Sequence, residues 1–318
     1  MSAYLKCHYP AEFACSLINS QPMGFYAPHT LIDDVKRHGV RVLPVNPNIS
    51  EWDCTIENKS DFDSPDRSKP SLRLGFRVVH GLQEKVAEEI ITEAKHRPFV
   101  HLVDFIKRTR VRKDVLHRLA MGHCFSSFGF DQRHTLWQML ECELLVEQSR
   151  SNQLSLFNNL WASQGDELFE KLDHFEEIKA QYEAYGLSTF GHPMVALRKM
   201  MPRVPKKTIS EVKRSNHGER IRAAGLILVR QKPPTAKGVT FSTLEDETGF
   251  LDLILHPKVF EKYHNEFLDH CFLEVAGVLQ RDANTTSVLV HEVRPFLRDL
   301  QSPNETLNIE PDQYFVAL

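Results

Sequence analysis

Several features that would identify a function are missing from this sequence. Lys and Arg number 39 against 42 Asp and Glu, a formal net charge of -3, so the strongly basic excess of many nucleic-acid binders is absent. No apolar run approaches the ~18 residues of a membrane span, and the N-terminus has no signal-peptide pattern. None of the six cysteines stands in C-x2-C spacing, and H-E-x-x-H is absent. We therefore expect a soluble, cytoplasmic protein with reduced thiols, no zinc site and no membrane partner.

The length of 318 residues predicts about two or three domains, and 42% hydrophobic with 25% charged residues is typical of globular chains. Residues 3–20 and 29–38 have helical spacing, with a break at Pro10, and 40–45 read as a strand. Residues 57–71 read as a loop. The loop contains Asp61 and Asp63, but a metal-holding carboxylate pair needs a rigid strand, so we expect no metal site there.

Residues 83–146 predict successive helices with breaks at Pro98, Gly122 and Gly129. The segment VVHGLQEKVAEEIITEAKHR places Gly81 in an apolar turn before a helix, the pattern of a helix-hairpin-helix. Its turn lets backbone N–H groups approach a DNA phosphate. Gln83 stands where such a turn usually has a second glycine. A second hairpin is expected downstream, with Gly122 at its turn.

Charge is distributed in blocks along the chain. Residues 107–118 have six basic residues and one acidic, whereas 141–183 have ten acidic and three basic. Residues 198–214 return to seven basic and one acidic. The basic blocks are either solvated helix ends or phosphate contacts, and the acidic block should face away from DNA or contact a protein. The near-neutral total therefore conceals two candidate DNA-facing segments.

From Glu219 onward, five strand-like runs with a helical stretch between the third and fourth predict an OB-fold barrel. Such barrels bind single strands or serve as protein adaptors, and the pattern leaves both open. The candidate contact residues are one aromatic and three basic side chains: Phe241, Arg230, Lys232 and Lys237.

Within the acidic block, the segment SNQLSLFNN (151–159) contains the pattern Q-L-x-L-F. An exposed Leu-Phe pair on a polar linker favours a partner pocket, and the pentapeptide matches the bacterial sliding-clamp-binding motif. The alternative is the start of an amphipathic helix continuing into LWASQGDELFEKL. The residues of the motif are Gln153, Leu154, Leu156 and Phe157.

The stretches NSQPMGFY, HGVRVLPV and SEWDCT resemble the end of the fingers region of bacterial C-family replicases, the DNA polymerase III alpha subunits. These stretches are most similar in sequence to the error-prone branch. The segment FSTLEDETGFLDLILHP resembles part of that family's OB-fold. The resemblance implies an α+β chain in five parts. These are a fingers remnant (1–72), tandem helix-hairpin-helices (73–147), a linker with the clamp motif and a basic connector (148–215), the OB-fold (216–298) and a tail (299–318).

The resemblance also implies a function, namely the C-terminal part of a polymerase that performs error-prone, translesion DNA synthesis in the damage response. The palm, with its Mg²⁺-binding aspartates, precedes this region in the family, so we expect no catalytic or metal residues here and no synthesis by this chain alone. Expected partners are DNA, the sliding clamp, the palm-containing part and damage-response accessory proteins. The residues that match the family's duplex-gripping hairpins are Gly81, Lys85, Arg110, Arg112, Lys113 and Gly122.

An intact QLSLF departs from the error-prone branch, in which this motif is often degenerate. Two alternatives therefore stay open. One is the same region of a replicative alpha subunit, and the other is a non-enzymatic adaptor that binds DNA and a clamp.

Overall fold

Seven stretches of the chain are described by the structure, a computed structural model: residues 2–22, 27–57, 70–109, 111–129, 132–139, 172–282 and 285–296. They belong to two units, Met1–Phe190 and Gly191–Leu318. Each has its own hydrophobic core. No helix in these stretches is long and apolar enough to cross a membrane.

Prolines position the first helices of the first unit. Pro10 and Pro28 each occupy the first helical position, where the missing N–H would have no intrahelical partner. Gly39 follows the third helix at a φ of 78°, which favours glycine. The predicted helices and the break at Pro10 are confirmed. These helices are α1 (Ser2–His8), α2 (Pro10–Asn19) and α3 (Pro28–Arg37).

A small three-stranded sheet follows, made of β1 (Val42–Leu43), β2 (Thr55–Glu57) and β3 (Ser71–Arg73). The central strand β3 pairs in parallel with β1 and antiparallel with β2. The expected boundary between residues 72 and 73 falls inside β3, and the five-part division of the chain stays a prediction.

The rest of the first unit is helical, with a core that includes Phe76, Phe105 and Phe125, all at most 1% exposed. Ala87 and Ile90 on α4 pack in this core, and both are fully buried. The helices are α4 (Glu84–His96), α5 (Leu102–Arg108), α6 (Lys113–Met121), α7 (helical residues 132–139) and α8 (His174–Tyr185). The 3-10 turns Phe76–Val78 and Ser126–Phe128 precede α4 and α7.

The second unit contains a closed five-stranded barrel, as the strand pattern predicts. Its strands are β4 (Arg220–Gln231), β5 (Thr240–Asp246), β6 (Gly249–Leu255), β7 (Phe272–Asp282) and β8 (Thr285–Pro295). Their order around the barrel is β4-β5-β6-β8-β7, with only β6 and β8 parallel among the described pairs. Helices α11 (Pro257–Lys262) and α12 (His264–Leu268) connect β6 to β7. This is the OB-like arrangement, and the α+β class is confirmed.

The long first strand closes this barrel by pairing twice. Its first part pairs with β7 and its last part with β5, and the register shifts between Ile227 and Val229. Gly225 lies at this crossing, where any Cβ would collide with the backbone carbonyl of Glu245. The close approach of two strands therefore requires glycine at this position.

Part of the basic connector belongs to the barrel unit. Helices α9 (Pro193–Met200) and α10 (Ile209–Val212) precede β4, and Arg198 on α9 is only 7% exposed. Its Nη2 atom lies 2.8 Å from a carboxylate oxygen of Asp246, which also accepts a 2.7 Å hydrogen bond from the N–H of Ile209. This ion pair ties both helices to β5, so at least one charge of the basic block is structural.

Candidate nucleic-acid interface

The turn before α4 presents unpaired backbone donors to solvent. Gly81 has a φ of 75°, and α4 begins three residues later, after Gln83, whose side chain makes no capping hydrogen bond. The N–H groups of Gly81, Gln83, Glu84 and Lys85 donate to no residue in the part of the chain that the structure describes. All four residues are exposed. A helix start of this kind is suited to bind an anion, although the carboxylate of Glu84 weakens the attraction.

Arg118 on α6 contacts this turn and holds it in place. Its Nη1 atom donates a 2.8 Å hydrogen bond to the carbonyl of His80, and it lies 3.5 Å from a carboxylate oxygen of Asp114. A Cβ built on Gly81 would lie 2.5 Å from the same Nη1 atom. Glycine therefore allows both the left-handed turn and the close approach of the guanidinium, which adds a positive charge beside the open N–H groups.

A second turn of the same kind precedes α7. Gly129 has a φ of 86° and is exposed, and the described part of α7 runs over residues 132–139. A Cβ built there would meet no described atom within 4 Å. Sequence reasoning used Gly129 only as a helix break. A glycine shortly before a helical segment, as at Gly81, is the signal that would have identified it.

Gly122 lies in the turn that follows α6, as expected, but it is not an open glycine of the kind seen at Gly81. Gly122 ends α6 with an ordinary φ of -79°, is buried, and donates its N–H to the carbonyl of Arg118 at 2.8 Å. A Cβ at this position would overlap the ring of Tyr185 on α8. Gly122 is glycine because two helices meet there, and its N–H is not available to a phosphate.

The basic stretch 107–118 divides into structural and exposed charges. Arg108 is 14% exposed in its side chain, forms ion pairs with Glu93 at 3.1 Å and Asp104 at 3.2 Å, and lies over the Phe99 ring. Arg112 is 69% exposed in its side chain and pairs with Asp114 at 3.0 Å. Lys113 begins α6 and is exposed, whereas Arg110 lies outside the described residues.

On the barrel, the prediction that Arg230 contacts a ligand is wrong. The residue is 2% exposed, its Nε atom donates to the carbonyl of Phe267 at 2.9 Å, and its Nη2 atom donates to that of His270 at 2.7 Å. The guanidinium also lies 5.3 Å from the Phe267 ring centroid. Arg230 therefore fastens α12 to β4.

The other three barrel candidates are exposed. Phe241 is 39% exposed and lines a groove of about 360 Å³ on the outer face of β5, β6 and β8. Lys232 and Lys237 lie in the loop between β4 and β5. The groove wall offers hydroxyl and amide groups, and its one charged residue among the described residues is Asp252. The groove therefore favours a neutral group, such as a base, over a phosphate.

Comparison with known proteins matches one part of the chain to a family model and nearly the whole chain to larger proteins. A family model described as "Helix-hairpin-helix motif" matches residues 39–135, which include both glycine turns. The error-prone DNA polymerase of Alkalilimnicola ehrlichii is 35% identical over 289 residues, which cover 91% of this chain and 27% of that protein. Over more than nine-tenths of its length, this chain is similar to error-prone DNA polymerases.

Other error-prone DNA polymerases show the same extent of similarity. That of Bdellovibrio bacteriovorus is 34% identical over 92% of this chain and 28% of its own length. That of Brucella abortus is 35% identical over 94% of this chain and 27% of its own length. The chain thus spans about a quarter of the length of the polymerases that it matches.

Four of the residues predicted to contact DNA lie on the exposed surface of the helix-hairpin-helix region: Gly81, Lys85, Arg112 and Lys113. Two motifs lie outside the described residues: the pentapeptide Gln153, Leu154, Leu156 and Phe157, and the loop pair Asp61 and Asp63. Both stay predictions.

Proposed function

We propose that this chain is the DNA-binding, C-terminal part of an error-prone DNA polymerase and that its two glycine turns hold the DNA backbone. The observation that carries the proposal is the set of open N–H groups at Gly81 and Gln83–Lys85, beside the guanidinium of Arg118. Gly129 supplies a second exposed, left-handed glycine turn before a helix. Two such turns would grip duplex phosphates without reading sequence.

Charge reversal of Lys85 tests this proposal. Lys85→Glu should weaken duplex affinity at least about eightfold near 0.1 M salt and reduce the log–log salt slope by about 0.9, the loss of one phosphate contact. Lys95→Glu is the matched control, since Lys95 lies on the same helix, is 72% exposed in its side chain and lies 3.7 Å from Glu51. Fluorescence anisotropy with a labelled duplex measures both. If the two variants lose equal duplex affinity, or if the affinity of the unaltered chain does not depend on salt, the glycine turns do not contact DNA.

We also propose that the barrel binds single-stranded DNA. Phe241 provides an exposed ring for stacking, and the hydroxyl-lined groove beside it suits base edges. The competing adaptor role predicts a protein ligand in the same groove. Phe241→Ala should weaken oligothymidylate binding by about 1–3 kcal/mol, the usual contribution of one stacked base. An unchanged affinity would favour the adaptor role.

Clamp binding through Gln153, Leu154, Leu156 and Phe157 is a further part of the proposal, supported by the motif and its polar surroundings. Leu156→Ala combined with Phe157→Ala should abolish binding to a bacterial sliding clamp in a titration and leave duplex affinity unchanged. If clamp affinity persists while the first unit loses stability, the amphipathic-helix alternative is correct.

The catalytic step would belong to the part of the relatives that this chain does not match. We propose that a palm-containing part supplies the Mg²⁺ site and nucleotidyl transfer, in translesion synthesis in the cytoplasm, together with damage-response accessory proteins. Primer extension with and without that part tests the assignment. Extension by this chain alone would contradict it, and a palm of the replicative kind would favour the replicative alternative.

A further inference from the structure

Four exposed lysines gather where the first barrel loop meets helix α11. Lys232 and Lys237 lie on the loop between β4 and β5, and Lys258 and Lys262 lie on α11. The two segments touch: a Cβ on Gly238 would lie 3.2 Å from Pro257, and the Nζ atom of Lys232 lies 4.7 Å from the Phe260 ring centroid. Residues 232–239 and α11 together hold these four lysines and one acidic residue, Glu261.

The charges on α11 point to one side of the helix. Lys258 and Lys262 are four residues apart, which places their side chains next to each other. None of the four lysines forms an ion pair with a carboxylate among the residues that the structure describes. Like charges at this spacing repel by a few tenths of a kcal/mol. The Tyr263 ring, 4.8 Å from the Nζ atom of Lys262, and the carboxylate of Glu292 offset part of the charge of Lys262, and a bound anion would relieve the remaining repulsion among the lysines.

The cluster also lies at a defined end of the groove. Thr240 pairs with Leu255 and Phe241 with Ile254, so the loop before β5 and the helix after β6 leave the sheet at the same end. Asp252 pairs with Thr243, three residues further along, which is about 10 Å away at the rise of a strand. The groove therefore runs from a lysine-rich end, past Phe241, to an end with an exposed carboxylate.

We infer that Lys232, Lys237, Lys258 and Lys262 form a phosphate-binding surface that receives the backbone of a single DNA strand, with α11 as part of the nucleic-acid site. The inference rests on the proposed single-strand binding by the barrel and specifies where its phosphates lie. The strand enters over α11, a base stacks on Phe241, and the backbone avoids the Asp252 end. A protein ligand would instead use the neutral groove and leave the lysines dispensable.

The test is binding of labelled (dT)20 to the full chain, measured by anisotropy as a function of salt. Each phosphate contact to a single strand contributes about 0.7 to the salt slope, so Lys258→Glu with Lys262→Glu should lower the slope by about 1.4 and the affinity at 0.1 M salt by about 25-fold or more. The matched control is Lys207→Glu with Lys213→Glu, which makes the same charge change on exposed lysines of the same unit. Lys207 and Lys213 flank α10, whose Ile209 and Ser210 donate hydrogen bonds to Asp246 and Thr248 at the other end of β5, about 20 Å along the strand from Thr240. This control should lose less than about threefold, because at this ionic strength charges beyond ~10 Å are largely screened.

The outcomes separate the surface from the proposed function. Equal losses in the two lysine pairs, or no loss in the α11 pair while Phe241→Ala still weakens (dT)20 binding, would overturn the surface and leave single-strand binding by the barrel intact. If neither Phe241→Ala nor the α11 pair changes (dT)20 affinity, single-strand binding by the barrel fails together with the surface. Circular dichroism of each variant confirms the fold, which exposed lysine substitutions should not alter.

Discussion

Replacing Gly122 with alanine tests whether this residue joins two helices or touches DNA. The new methyl carbon would overlap Cζ and Oη of Tyr185, far inside the ~3.5–4.0 Å of a normal carbon contact. Tyr185 is 2% exposed, and Gln181 of the same helix donates a 3.1 Å hydrogen bond to the carbonyl of Gly122. Overpacking a rigid site usually costs about 1–3 kcal/mol, and the depth of the overlap places this variant near the upper value.

Tryptophan fluorescence is a suitable probe, because the three tryptophans of the chain, Trp52, Trp137 and Trp161, all belong to the first unit. A decrease of about 3 kcal/mol in the free energy of unfolding should lower the midpoint of thermal unfolding of the first unit by about 6–12 °C, given its size. At a temperature where the variant stays folded, duplex affinity should remain within about twofold of the unaltered chain, since no phosphate contact is lost.

A double-mutant cycle with Tyr185→Leu isolates the contact between the two side chains. In the Tyr185→Leu background the ring is absent, so Gly122→Ala should cost less than about 1 kcal/mol. The reasoning is refuted if Gly122→Ala leaves the unfolding midpoint unchanged and weakens duplex binding, because Gly122 would then be a phosphate-approach glycine, as the sequence suggested.

Two further predictions concern buried charge. Arg198→Ala should destabilise the barrel unit by about 3–5 kcal/mol, because it leaves the buried carboxylate of Asp246 without its cationic partner. Faster hydrogen exchange in β5 would show this loss. Arg222→Ala is the control and should have a smaller effect, because the arginine of its ion pair is more exposed. Unchanged exchange would mean that the ion pair does not hold α9 and α10 on the barrel. Burial lowers the pKa of His29 to about 4, so the unfolded first unit binds a proton between pH 6.5 and 4 that the folded one excludes. The free energy of unfolding should therefore decrease as the pH is lowered from 6.5 to 4, and His29→Gln should make this decrease smaller by about 2 kcal/mol. Urea titrations followed by tryptophan fluorescence measure the effect. Parallel pH profiles for the two proteins would contradict it.

Much of the architecture follows from local sequence. The helices within residues 3–20 and 29–38 and the break at Pro10 are local effects of apolar spacing and backbone geometry, and they were predicted correctly. The five strand runs and the helical connection after the third were enough to predict the barrel. The similarity to error-prone DNA polymerases was also readable, because NSQPMGFY, HGVRVLPV and SEWDCT are specific stretches of sequence.

Only the tertiary structure decided what individual candidates do. Gly122 and Gly129 look equally suited to a turn in the sequence, but the ring of Tyr185, 63 positions beyond Gly122, determines that Gly122 packs and leaves Gly129 open. Arg230 and Lys232 are two residues apart, yet one is buried against carbonyls of the Phe267–His270 segment and the other is exposed. Composition assigns each a positive charge; whether that charge reaches a ligand depends on partners distant in sequence, because burial and hydrogen bonding are properties of the folded chain.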